Sequence, residues 1–232
     1  MTENFNPFLT EYHTPFGTTP FHLIKTEHFE PAMEEGMKAH KRDVDAIVNN
    51  SDEPTFANTI VALEKSGVLL DRVTTVFGNL LSAETSDELE VLAERMMPRL
   101  SEHSNNISLN ERLFARIKQV YDETKQGALS QEDYMLLQNT YNSFIRNGAN
   151  LTLEQKERFR QLSAELSVLT LKFSQNNLKE TNRYELLLTP EQTDGLPTSA
   201  LDAYAQAAKD KNQEGYLVTL QAPSFVPFMK YS

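Results

Sequence analysis

The sequence predicts a mainly α protein, a multi-helix bundle with a small strand–helix–strand appendage near the C-terminus. Two patterns carry that expectation. Between Met33 and Phe173 the apolar residues recur at alternating steps of three and four, the period of a helix with one buried face. Beyond Asn182 the pattern gives way to two short runs of branched and aromatic residues around an Ala-rich stretch. Composition agrees. Of 232 residues 39% are hydrophobic, including Phe 13 and Tyr 8, enough apolar area for a sizeable core.

Taken in order, Met33, Met37, His40, Val44 and Ile47 make one stripe on the first long helix. Pro31 suits its first turn, where a missing N–H costs nothing, and Asn49-Asn50-Ser51 ends it. Thr55 is a candidate N-cap for a helix over 56–66 that Gly67 breaks. Leu70, Val73, Phe77 and Leu80 continue the pattern. Ser86 caps a segment with Leu89, Leu92, Met96 and Leu100 on one face, and Pro98 inside it is expected to kink or divide it. Helices over 111–123 and 131–147 follow, their ends marked by Gly127 and Gly148. Tyr134, Leu137, Tyr141 and Phe144 share one side of the second.

Thr152 caps the longest pattern. Its Phe159, Leu162, Leu166, Leu169 and Phe173 form a helix-packing seam, read as plain core. Residues 184–189 and 216–220 read as strands of open pairing direction, around a helix over 199–211. In the last stretch Pro223 and Ser224 resemble the entry to a helix that does not follow, so 222–232 reads as a docked tail or as a cut chain. The expected organisation is one helical domain over 1–232. Within it lie a bundle over 1–182, the strand–helix–strand unit over 183–221 and the start of a further segment over 222–232.

Charge and composition exclude several functions. Lys+Arg 22 against Asp+Glu 33 leaves a net charge of −11, which disfavours binding to nucleic-acid phosphates. No apolar run approaches the roughly 20 residues a bilayer span requires. Cys 0 removes disulfides, thiol nucleophiles and thiolate metal sites, and fits a reducing compartment. Met1-Thr2-Glu3-Asn4-Phe5-Asn6-Pro7 lacks the basic and apolar regions of a signal peptide, so a cytoplasmic location is expected.

Reactive constellations are also missing. The residues four beyond His13, His22, His28, His40 and His103 are Gly17, Thr26, Ala32, Val44 and Ile107, none of which ligates a metal. His40 and Asp43 stand three apart, the spacing of an ordinary helix contact. There is no nucleophile elbow and no phosphate-cradling loop. Glu34-Glu35 and Asp52-Glu53 lie in polar stretches, read as hydrated acidic faces rather than an acid–base pair. Lys156, Arg158, Arg160, Lys172 and Lys179 make the long helix basic where the first and third are acidic. That points to complementary helix packing or, more ambitiously, to a groove for peptide carboxylates. No catalytic or metal residue is assigned, and substrate-binding residues stay unknown.

Several ordered motifs nevertheless resemble a known family. They are Asn6-Pro7-Phe8-Leu9, then 29–37 (Phe-Glu-Pro-Ala-Met-Glu-Glu-Gly-Met), then 58–67 (Asn-Thr-Ile-Val-Ala-Leu-Glu-Lys-Ser-Gly) followed by 69–77, and finally Leu113-Phe114-Ala115-Arg116-Ile117. Together they resemble the N-terminal region of bacterial peptidyl-dipeptidases, the dipeptidyl carboxypeptidases of the thimet oligopeptidase family of zinc metallopeptidases. The resemblance implies a longer enzyme whose HExxH zinc helix and third glutamate ligand lie downstream. This chain would then be a helical wall of a channel for short peptides, inactive alone and without zinc of its own. The missing partner would be the C-terminal catalytic domain, and Phe225, Phe228 and Tyr231 would be left exposed where it should pack. The alternatives are a free-standing helical protein-interaction domain, or the N-terminal part of a related oligopeptidase that cleaves internally.

Overall fold

A computed structural model describes residues 5–125 and 127–232; Met1–Asn4, read above as part of a leader-free start, lie outside them. The fold is mainly α with a two-stranded antiparallel sheet. It forms two compact units, Met1–Val168 and Leu169–Ser232.

The first unit opens with four single 3-10 turns, Pro7–Leu9, Pro15–Gly17, Phe21–Leu23 and Thr26–His28. No periodicity announces them, because each is shorter than one period. Asn6 fixes the arm: its side-chain oxygen accepts from the Phe8 N–H at 3.1 Å, and its amide donates to the His28 carbonyl at 2.8 Å. Phe8 is thereby sunk completely into the core, against Phe29 with ring centroids 5.1 Å apart. Phe29 in turn meets Phe77 at 5.2 Å. Each fully buried phenylalanine contributes about 2 kcal/mol in area removed from water.

Helix α1 (Phe29–Val48) buries Met33, Val44 and Ile47 of the expected stripe, with Pro31 in its first turn. Gly36 is where α1 comes closest to α3 (Val68–Ala83): a Cβ there would lie 2.9 Å from Leu70 Cα. Between the two, Thr55 caps Phe56–Val61 in a reciprocal capping box with Asn58. That segment winds as a π-helix, which buries Thr59 and Ile60 before it tightens into α2 (Ala62–Glu64). Gly67, at φ +71°, makes the break before α3.

Helix α4 (Asp87–Ser108) is capped by Ser86, which accepts from the Leu89 N–H at 3.3 Å. Of the two effects expected of Pro98, division does not occur: α4 runs through it as one element. The lost N–H deprives only the carbonyl of exposed Glu94, which water can satisfy. Both sides of Pro98 are also tied to α1. Arg95 Nη2 donates to Glu30 Oε2 at 2.6 Å, and Arg99 Nη2 to Glu34 Oε1 at 2.6 Å.

Helices α5 (Glu111–Glu123) and α6 (Gln131–Arg146) have side-chain caps at Asn110 and Ser130. They close the core around Val44, Ile47, Ile60, Leu113, Ile117 and Leu137. Thr152 starts α7 (Leu153–Arg183), its hydroxyl accepting from the Gln155 N–H at 3.3 Å. Here a second expectation fails. Lys156 is the one buried residue of α7, whereas Leu162, Leu166, Leu169 and Phe173 are exposed, Phe173 by 74%. A regular apolar period reports a face able to pack, not a neighbour that packs on it.

In the second unit β1 (Glu185–Leu188) pairs antiparallel with β2 (Tyr216–Thr219), with Leu186 opposite Val218. Helix α8 (Thr198–Asp210) lies between them in sequence, and Ala200 and Tyr204 join Leu188, Leu196 and Val218 in a small core. A third correction follows at the end of the chain. Ala222–Tyr231 does form a helix, α9, with Pro223 in its first turn. Tyr204 Oη donates to the Ser224 carbonyl at 2.6 Å, and Ser224 Oγ accepts from the Thr219 N–H at 2.9 Å. Phe225 and Tyr231 are exposed as expected, but Phe228 packs against the small core.

Candidate functional site

A cleft with many polar side chains in its lining lies in the first unit, where α1, α3, α4 and α6 meet. It has a volume of about 530 Å³ and is lined by His40, Gly67, Asp71, His103, Ser104 and Asn147, with Leu70, Leu100 and Phe144 supplying apolar wall. Its centre is a histidine pair. His103 Nε2 lies 3.2 Å from His40 Nδ1, and the rings meet edge to face at 61°. One ring nitrogen donates to the other, so each imidazole holds the other's orientation. Burial lowers the pKa of both rings. The Asp43 carboxylate opposes that at His40, while the His40 neighbour adds to it at His103. Both are therefore neutral near pH 7. The Asp43 carboxylate accepts from the Gly67 N–H at 3.3 Å.

Of the acidic pairs singled out from the sequence, Glu34, Glu35 and Glu53 have arginine or amide partners on their carboxylates. Glu34 binds Arg99, whose donated hydrogen bond holds its carboxyl below the usual range. Glu35 accepts from Arg42 at 3.2 Å. The Asp52 carbonyl receives Arg116, and the Glu53 carboxylate receives Gln119. None faces a second carboxyl in a dry site, which an acid–base pair needs. On α7, Lys156 turns inward to Glu111 at 3.0 Å and to the Leu109 carbonyl, the C-cap of α4, at 3.4 Å. Arg160 donates to Asn106, and Arg158 to Gln161 of its own helix. Of these three cations Lys156 meets an acidic side chain on α5, Arg160 a neutral amide on α4 and Arg158 its own helix, so these contacts are not the expected pairing with the acidic α1 and α4. Among the described residues no group of three or more His, Asp or Glu is placed to hold a metal ion. Among them, too, no helix is long and apolar enough to cross a membrane.

Comparison with known proteins adds what the geometry lacks. No family model matches the chain. It is 35% identical over 210 residues to a dipeptidyl carboxypeptidase of Salmonella typhimurium, covering 90% of this chain and 31% of that protein. The dipeptidyl carboxypeptidase of Escherichia coli is 35% identical over 207 residues, 89% of this chain and 30% of that one. Oligopeptidase A of Salmonella typhimurium is 31% identical over 227 residues, 97% of this chain and 33% of that one. The chain is similar in sequence to these peptidases. It spans about a third of the length of the curated relatives it matches.

Of the motifs quoted above, Phe8, Phe29, Gly36, Ile60 and Phe77 are buried. The histidine pair was missed by the sequence reading. Ligand spacing was sought within single helices, and the contact joins residues 63 apart. A signal existed, since His40 stands on the apolar stripe of α1 and must face a neighbouring helix.

Proposed function

We propose that the chain is the N-terminal helical part of a longer zinc metallopeptidase of the dipeptidyl carboxypeptidase type, acting in the cytoplasm on short peptides. The observation that carries this reading is 35% identity over nine-tenths of the chain to a protein named for that activity, of which the chain spans only 31%. On this reading the zinc ligands and the general-base glutamate belong to downstream polypeptide. The zinc there supplies a polarised water for attack on the peptide carbonyl. The helices of this chain contribute shape: they wall a channel that admits unfolded peptides and excludes folded ones, and no residue described here takes part in bond cleavage. The similarity to oligopeptidase A keeps internal cleavage as the neighbouring specificity.

The test is to read the gene beyond Ser232 and assay both forms. An in-frame HExxH, with dipeptide release from a short blocked peptide by the longer protein and none by the 232-residue chain, is the expected outcome. A stop codon after Ser232, or release by the chain alone, refutes it. A stop codon would favour the second reading, a free-standing interaction domain, for which the exposed seam Leu162, Leu166, Leu169 and Phe173 is the supporting observation.

A further inference from the structure

The cleft at the junction of α1, α3, α4 and α6 has no part in the peptidase reading. At its centre two imidazole nitrogens face one another from different helices. Two ligand nitrogens each roughly 2.0–2.1 Å from an ion and 3.2 Å apart subtend about 100° at it, near the tetrahedral angle. Gly67 lies over the face of the His40 ring, where a Cβ would come 2.8 Å from Nδ1, 2.9 Å from Cγ and 3.0 Å from Cε1. Gly67 also adopts φ +71°, so a side chain is disfavoured there twice over. One of the two facing nitrogens carries a proton and the other a lone pair, so ligation by both requires that proton to shift to the far nitrogen of its own ring. Two carboxylates, Asp43 beside His40 and Asp71 on the cleft wall, favour a cation, and no lysine or arginine lines the cleft.

We propose that His40 and His103 form a two-imidazole site for a late first-row divalent ion, taking Cu²⁺ most tightly and Zn²⁺ and Ni²⁺ less so. Nitrogen ligands without thiolate, completed by water from the open cleft, suit that class, and the Irving–Williams order sets the ranking. The proton shared between the rings moves to the outer nitrogen of whichever imidazole carries it. Ligation of the neutral pair therefore releases no proton, and acidification competes with the ion. Two protein ligands make an exchangeable site rather than a structural one, and among the described residues no third His, Asp or Glu joins them. The site neither requires nor excludes a zinc ion for peptide cleavage elsewhere in a longer protein.

The experiment titrates the metal-free 232-residue chain at pH 7 with CuCl₂, ZnCl₂ and NiCl₂ by calorimetry. Expected are one equivalent of saturable Cu²⁺ binding, tighter than Zn²⁺ or Ni²⁺, and at least a tenfold loss in His40→Gln and in His103→Gln. His22→Gln, which alters a separate cleft, should leave binding unchanged. Proton NMR of the unaltered chain supplies a readout that needs no variant. Substoichiometric Cu²⁺ should broaden the His40 and His103 ring signals before those of His13, His22 and His28. Absence of saturable binding, equal affinity in the His40 and His103 variants, or uniform broadening of all five rings overturns the proposal.

Discussion

Gly36→Ala probes a close contact between α1 and α3, and the structure sets its sign. A methyl on Gly36 meets Leu70 Cα at 2.9 Å, Leu70 N at 3.0 Å and Leu70 Cβ at 3.1 Å. Carbon atoms pack best at roughly 3.5–4.0 Å, and two of these three atoms are backbone, so no rotamer change relieves the overlap and α1 and α3 must separate. Overpacking of this kind costs about 1–3 kcal/mol, and the rigidity of the obstacle puts it at the upper end. Replacing a helical glycine by alanine returns about 1 kcal/mol, leaving a net loss of about 2 kcal/mol. Gly78, on the exposed face of α3 with nothing within 4 Å, is the internal control. Gly78→Ala should keep only the favourable term and gain roughly 0.5–1 kcal/mol. With a urea dependence of about 1–3 kcal/mol per molar, the two variants should depart from the parent in opposite directions, Gly36→Ala by about 1 M in midpoint. Two compact units need not unfold together, so amide exchange within α1 and α3 should accompany the urea curves. A Gly36→Ala protein as stable as Gly78→Ala would show that the helices do not cross this closely.

Three further outcomes follow from individual contacts. Both rings of the histidine pair have folded-state pKa values below the unfolded one, so the unfolded chain binds more protons over that interval. Stability should fall as pH is lowered through the unfolded histidine value, about 6.5, and urea midpoints between pH 7.5 and 5 should show a shallower fall in His103→Gln. Glu34 has a lowered pKa through Arg99, so its contribution is full above the ordinary carboxylate value and disappears on further acidification through the folded one. Arg99→Ala should remove that acid-side component with only a small loss at pH 7, since both partners are partly solvated; an acid titration of unfolding reads it. Tyr204→Phe deletes the hydrogen bond from α8 to the Ser224 carbonyl and should cost about 1 kcal/mol, read as faster amide exchange in α9.

The helices of this fold were legible because their information is local. The caps at Thr55, Ser86 and Thr152 and the breaks at Gly67 and Gly148 are each decided within a few residues. What was misread depends on neighbours. Around Pro98, α4 stays one element, with Glu30 and Glu34, more than sixty residues away, bonded to both of its flanks. The α7 seam has the period of a core and no core around it. Residues 222–232 have too few positions for a period, and their helix is anchored instead by Tyr204 and Phe228. The candidate site was the least legible part. Its two histidines come from separate helices, and no spacing rule along the chain connects them.

The aromatic plug at Phe8 has a consequence for how the molecule can be taken apart. The arm that delivers it carries Phe16 wholly in solvent, at the left-handed φ of 59°, beside Gly17. A protease nick at that tip would sever the covalent route to Phe8 while leaving the ring seated and Asn6 bonded. The freed piece would then behave as a ligand of the remaining polypeptide, leaving on dilution and returning on mixing, so the integrity of the central aromatic stack would become a matter of concentration.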